Sequence, residues 1–272
     1  MKPIQAVFPF LKLIFFDRKR LLKSLLNYTK EADRRRHFQK QYGKSVLPFV
    51  DINQLVEIDA EIDNYTYLDG TSRVIDIALL MSLCKLYENC NYLEIGSWRG
   101  ESLMNVSKVA KTCTSISLSK ADMEAFGMSK SATEVQRLFS KHRENINHIE
   151  ANSLTYDFNQ LDEKFDVIFI DGDHTYEGVK SDTENAFKLL RDEHSVIVWH
   201  DCGGGYEGYR YEVISAIIDG APAAMQPKIF RVTNTLCGIF TNKQIVGEIL
   251  KSPQTPTKVF SIHIKENNFE MS

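Results

Sequence analysis

The 272-residue sequence predicts an α/β fold built on a doubly wound, mostly parallel sheet, with a helical extension ahead of it. Three observations predict it. Five apolar runs of strand length alternate with helix-length stretches between residues 91 and 218. Several are apolar throughout, FDVIFI at 165–170 being the clearest, as a parallel strand buried on both faces must be. Runs at 229–233 and 236–241 close on Asn234 and Thr235, a hairpin signal that makes the last strand antiparallel.

Taken in order, residues 18–42 read as a strongly basic helix to which Leu21, Leu22, Leu25, Leu26 and Tyr28 add apolar area. The stretch 46–64 is mixed and leads from this arm to the body. Residues 67–71 form a turn, with Thr71 or Ser72 the expected N-cap of a broadly apolar helix over 74–87. The organising unit is NYLEIGSWRGES at 91–102. Its apolar run contains Glu94, a turn bounded by Gly96 and Gly100 follows, and a helix over 102–109 brings Leu103, Val106 and Val109 to one face. Glycine accepts φ > 0 in such a turn and lets a ligand approach the backbone. The G-x-x-x-G spacing is not the G-x-G-x-x-G that cradles a diphosphate, so the turn suits a nucleoside without one.

A second strand is expected over 112–118, a helix over 132–140, and a third strand over 146–151 that ends at Asn152 and Ser153. FDVIFI ends in Asp171, Gly172, Asp173 and His174, and a helix over 176–190 follows. The fifth strand, SVIVW at 195–199, ends in His200 and Asp201. A glycine-rich loop over 202–208 and a helix over 211–218 lead to the hairpin, and 259–265 reads as a final edge strand.

A chain of this length buries one substantial core, and two regions are expected: a basic helical extension over 1–66 and the sheet domain over 67–272. Five cysteines without a C-x-x-C pair argue for a reducing, cytoplasmic compartment and against a disulfide framework or a structural zinc site. Residues 1–43 carry a net charge of +8 and the remainder −11, so the arm is expected to make a surface or partner contact. AVFPFLKLIFF at 6–16 is too short to span a bilayer and lacks a small-residue cleavage site. Two readings of residues 1–43 stay open: peripheral docking on an anionic inner membrane, or a helix packed on the body with a solvated basic face. No nucleic-acid partner is expected, and the sequence leaves the oligomeric state unassigned.

In open α/β sheets ligands sit beyond the carboxyl ends of the strands. Glu94, Ser117, Asn152 with Ser153, Asp171 with His174, and His200 with Asp201 all fall there. Any one of them has an ordinary structural reading, as a turn residue or a helix neighbour. Their joint placement after five strands is what marks a functional rim.

YLEIGSWRGES, FDVIFIDGDHTYEGVKSD and VIVWHD resemble the class I S-adenosylmethionine-dependent methyltransferases, whose sheet is Rossmann-like. They are most similar to the family 24-like group that includes sugar O-methyltransferases. The resemblance covers residues 68–242. It implies methylation of a hydroxyl on a small-molecule acceptor, such as a sugar or a lipid-linked glycan. It also implies that Glu94, Gly96, Ser97 and Gly100 lie along the methionine part of S-adenosylmethionine, with Ser102 meeting its carboxylate. Ser117, Asn152, Ser153 and Asp171 would complete the cofactor site. Asp171 and Asp201 match positions that bind Mg²⁺ or Mn²⁺, and His174 matches the general base. The remaining metal ligand is left between His200 and Cys202. The sequence departs from the family at Ser117 and Asn152, where acidic residues would grip the ribose and approach the adenine.

A nicotinamide dehydrogenase would need a diphosphate turn and an acid at Ser117. A His-Asp phosphohydrolase would carry that pair on a helix, whereas VIVWHD reads as a strand. A non-catalytic or degenerate member of the methyltransferase fold, acting in a membrane-surface assembly, stays open as the alternative.

Overall fold

The computed structural model describes residues 17–43, 46–203, 209–249 and 255–268, and the chain divides into two compact units between Val46 and Leu47. The first unit holds α1 (Arg18–Tyr42), which carries nine Lys/Arg against two Asp/Glu and exposes Leu22, Leu25 and Leu26. Leucine, lysine and arginine are strong helix formers, and three exposed leucines at i, i+3 and i+4 share one stripe. The apolar run at 6–16 lies outside the described residues.

The second unit is an eight-stranded sheet in the order β1-β7-β8-β6-β5-β2-β3-β4. Its strands are β1 (Phe49–Val50), β2 (Asn91–Ile95), β3 (Thr112–Ser117), β4 (Ile146–Glu150), β5 (Val167–Ile170), β6 (Val196–Trp199), β7 (Ile229–Val232) and β8 (Gly238–Phe240). Only β8 runs against its neighbours β6 and β7; every other pairing in the described sheet is parallel. This is the Rossmann-like sheet with an antiparallel final strand. Side-chain alternation sorts the central strands between two layers. Tyr92, Val167, Phe169, Val196 and Val198 join one core with α3 (Val74–Cys84) and α4 (Glu101–Val106). Trp199 points to the other layer, where its indole donates to Thr183 Oγ1 (2.9 Å) on α7 (Tyr176–Leu189). There α7 packs against α8 (Tyr211–Gly220).

Several expectations are corrected. The stretch 46–64 is no simple crossing: it forms edge strand β1 and the short α2 (Ile52–Leu55), so the sheet-bearing unit begins at Leu47 rather than near Tyr67. The N-cap of α3 is Arg73, whose N–H donates to Asp76 Oδ2 (2.9 Å), and not Thr71 or Ser72. In place of a helix over 132–140, two short helices, α5 (Lys120–Ala125) and α6 (Lys130–Glu134), are each capped by a serine, Ser119 and Ser129. After Glu134 the chain continues as turns, with Arg137 at a left-handed φ of 58° that no helix accommodates. Residues 259–265 form no strand: despite their alternation they pair with nothing among the described residues, and Val259, Ile262 and Ile264 stay exposed. Of the glycine-rich loop, 204–208 lie outside the described residues.

Candidate active site

The parallel strands end on one rim, and β2 sets its centre. A Cβ added to Gly96 (φ 91°) would stand 2.3 Å from Gly172 Cα and 2.4 Å from the Asp171 carbonyl oxygen. Glycine at 96 therefore lets the carboxyl ends of β2 and β5 touch. Gly100 takes φ 83° and opens α4. Glu94 is 1 % exposed and accepts from the Tyr92 hydroxyl (2.8 Å) and from Ser102 Oγ (3.0 Å). Burial pushes its carboxyl up to about 8, and the nearby Asp171 adds to this. Ser97 is buried beside it in the turn.

A cleft of about 370 Å³ opens in front of this turn, lined by Gly70, Ser72, Gly96, Ser102, Asp171 and His174 among others. Its outer wall is the loop before α3, tied down by Glu101. That carboxylate accepts from the Thr66 N–H (2.9 Å), Thr66 Oγ1 (2.6 Å), Thr71 Oγ1 (2.9 Å) and Arg99 Nε (3.1 Å). A larger cavity of about 950 Å³ lies beside Val196 and His194, at the amino end of β6. Its lining holds none of the rim residues, so the smaller cleft is the chemical one.

At the far side of the cleft Asp171, His200 and Asp201 converge, with one donor atom from each lying within 4.8 Å of the others. His200 Nε2 lies 3.2 Å from Asp76 Oδ2, and Nδ1 lies 3.2 Å from Asp171 Oδ1 and 3.7 Å from Asp201 Oδ1. Burial disfavours an imidazolium, but Asp171, Asp201 and Asp76 outweigh it and hold His200 protonated well above its usual range. Asp201 sits at a strained φ of 58°. Its Oδ2 meets His174 Nε2 (3.0 Å) and Arg210 Nη1 (2.8 Å). Burial alone would raise its carboxyl, but His200, His174 and Arg210 hold it well below the ordinary range. Cys202 is fully buried, with its thiol toward the Trp199 and His200 carbonyls (3.8 and 3.9 Å), so of the two candidates for a third ligand only His200 faces the cluster.

The third and fourth strands contribute differently. Ser117 Oγ accepts from Arg137 Nη2 (3.1 Å), and the same guanidinium pairs with Glu150 at the end of β4 (2.8 Å). A cation thus stands at the position where an acid was missed. Asn152 Oδ1 accepts from the Leu154 N–H (3.0 Å), closing a local turn. Ser153 lies beside Asp182, a buried carboxylate on α7 that burial pushes up to about 7.

The structure brings Gly96, Gly100, Ser102, Asp171 and His174 to the lining of the cleft, buries Glu94 and Ser97 behind that lining, and gathers His200 and Asp201 with Asp171. Ser117, Asn152 and Ser153 are not among the lining residues of that cleft. Sequence reasoning missed Ser72, whose hydroxyl donates to Asp171 (3.1 Å), and also Asp76, Glu101, Arg137 and Arg210. For Asp76 a signal existed: a carboxylate inside the apolar run VIDIALLMSLC must find partners.

Residues 93–202 match the family described as "Methyltransferase domain". No curated protein matches the sequence. Among solved structures, the chain is similar to an O-methyltransferase from Bacillus cereus in complex with SAH, at 18 % identity over 63 % of this chain and 81 % of that one (TM-score 0.44). The O-methyltransferase TomG from Streptomyces achromogenes, involved in tomaymycin synthesis and bound to SAM, matches at 16 % over 64 % and 82 % (TM-score 0.43). The N-methyltransferase NodS from Bradyrhizobium japonicum WM9 matches at 16 % over 61 % and 92 % (TM-score 0.39).

Proposed function

We propose that the protein transfers a methyl group from S-adenosylmethionine to a hydroxyl of a sugar or another small polar acceptor, a reading that the match of residues 93–202 to a methyltransferase-domain family supports. The observation that carries this reading is the cleft lined by Gly96, Gly100 and Ser102 of the turn and by Asp171 and His174, with Glu94 buried behind Ser102. S-adenosylmethionine supplies, when bound, a methyl group on a good leaving group. Glu94 is a buried carboxyl group behind the cleft that keeps its proton up to about pH 8 and would ionise against the cofactor's positive methionine end. The hydroxyls of Ser102 and Ser72 are each committed to a carboxyl group, Glu94 and Asp171, so neither is free to donate to the cofactor's carboxylate without giving up that bond.

His174 orients on Asp201 and takes the acceptor's proton at its other ring nitrogen, Asp201 stabilising the imidazolium that forms. Asp171, kept in place by Ser72 and His200, positions the hydroxyl. The donor set of Asp171, Asp201 and His200 Nδ1 fits Mg²⁺ or, better, Mn²⁺, because Asp76 anchors the opposite nitrogen of the ring. Such an ion would supply Lewis acidity to the acceptor oxygen and would replace the proton on Nδ1. Peripheral attachment of α1 to an anionic inner membrane surface belongs to the same reading and suits a lipid-linked acceptor. No described helix is long and apolar enough to cross a membrane.

A second reading, a degenerate member that does not turn over, is favoured by one observation: Arg137 occupies the ribose-gripping position. Calorimetry decides between them. Uptake of S-adenosylmethionine and S-adenosylhomocysteine supports the enzyme, and no uptake by folded protein removes it. With an acceptor in hand, His174→Ala should lower turnover about 10²–10⁴-fold with cofactor affinity nearly unchanged. Full activity in excess EDTA would sink the metal.

A further inference from the structure

Arg231 on β7 holds a charge that no described carboxylate answers. It is 2 % exposed, and its Nε and Nη1 are buried with no hydrogen-bond partner. Its described electrostatic neighbours are two thiols and a phenol, Cys202, Cys237 and Tyr209, of which Tyr209 also hydrogen-bonds the guanidinium, with no carboxylate among them. The guanidinium lies over two aromatic rings, 4.7 Å from the centroid of Phe49 and 5.1 Å from that of Tyr209. Stacking of this kind engages the faces of the planar cation and leaves its N–H groups pointing outward in the plane. An unpaired buried charge costs several kcal/mol, more than such contacts return.

The position ties this cation to the rim. On the sheet Arg231 pairs with Gly238, and Gly238 pairs with Trp199, the residue before His200. Two short segments serve both places. Asp201 reaches the cluster while the adjacent Cys202 lies by Arg231, and Arg210 binds Asp201 (2.8 Å) while the adjacent Tyr209 covers Arg231. β7 runs parallel to β6, so Arg231 stands in the carboxyl half of its strand, the half that faces the rim.

We propose that Arg231 is the anion-recognition residue of the acceptor site, and that the acceptor is a hydroxyl compound bearing a carboxylate or a phosphate. This rests on the methyltransferase reading and narrows its substrate class. A planar guanidinium with unspent in-plane donors matches the oxygens of either anion, which an ammonium or an amide does less well. Neutral acceptors leave the buried charge uncompensated and are disfavoured for that reason.

The test uses the full chain without cofactor, at constant ionic strength. Glucuronate, glucose 6-phosphate, inorganic phosphate and glucose are titrated separately, followed by thermal stability and by the Arg231 Nε–H resonance. Saturable stabilisation by an anion, with movement of that resonance and no response to glucose, supports the site. The two sugar anions tell carboxylate from phosphate. Arg231→Gln should weaken the binding at least about tenfold, the loss of roughly one charge-assisted hydrogen bond. An unmoved Nε–H resonance at about 50 mM of every anion overturns the proposal, as does equal affinity in Arg231→Gln. If that variant does not fold, the wild-type resonance decides alone. Calorimetry with S-adenosylmethionine runs in parallel. Cofactor uptake without anion binding defeats the anion site only, whereas anion binding without cofactor uptake defeats the acceptor assignment and the methyltransferase reading.

Discussion

Glu94 shows how far one buried side chain can report on the site. Its folded carboxyl is raised from 4.5 to about 8, first by burial. Between those two values the folded protein keeps a proton that the unfolded chain has released. The group's contribution to stability is therefore whole at low pH, falls as pH rises through this window, and is flat above it. Glu94→Gln removes the titration, so its stability relative to wild type should grow from pH 5 to pH 8, by at most about 1.4 kcal/mol per unit. Urea unfolding at several pH values measures this, and a difference independent of pH refutes it. Residues of this kind were partly legible. Glu94, Asp171 and Asp201 were visible because each puts a carboxylate within or just after an apolar strand. The setting of His200 was not, since Asp76 lies 124 positions away on another element. Sequence alone shows the ligand types and hides which nitrogen is already engaged.

Among the elements, the loop before α3 carries the most design per residue. Asn64 (φ 52°), Tyr67 (φ 56°) and Gly70 (φ 80°) all take left-handed conformations, and this strain persists because Glu101 and Arg99 hold the loop. Arg99 donates to the Asp69 carbonyl (3.1 Å), to Thr71 Oγ1 and to Glu101 (3.1 Å) while only 7 % exposed. Glu101→Ala would strand that guanidinium in the interior, so a loss of about 3–5 kcal/mol is expected. Glu101→Gln keeps part of the hydrogen bonding and should lose less. Denaturant midpoints with unchanged m-values test this, and an alanine variant within about 1 kcal/mol of wild type contradicts it. The strands were readable because burial on both faces demands apolar runs, and the hairpin because Asn234 (φ 68°) accepts the turn. The helix expected over 132–140 and the strand expected over 259–265 failed for one reason. Local pattern states what an element could be, and a neighbour to pack or pair with decides whether it forms.

At the scale of the whole molecule, charge is divided between the two compact units: residues 1–46 hold +9 and residues 47–272 hold −12. A uniformly acidic protein would be repelled by an anionic bilayer. Here α1 alone brings a net +7 and three exposed leucines, so attraction is confined to one element. Each basic residue near such a surface contributes about 1 kcal/mol, and the attraction decays within a Debye length of roughly 8–10 Å near physiological salt. The acidic body would lower the net affinity of the proposed attachment, which should therefore be reversible and steeply dependent on salt. Flotation with phosphatidylserine-containing vesicles should accordingly be strong at low ionic strength, weak above about 0.3 M salt, and absent with neutral vesicles. Replacing Leu22, Leu25 and Leu26 together by serine should reduce flotation while leaving the salt dependence, because the apolar contact is lost and the charges stay. Equal flotation on neutral and anionic vesicles, or no response to salt, would leave α1 a solvated basic helix and take with it the case for a lipid-linked acceptor.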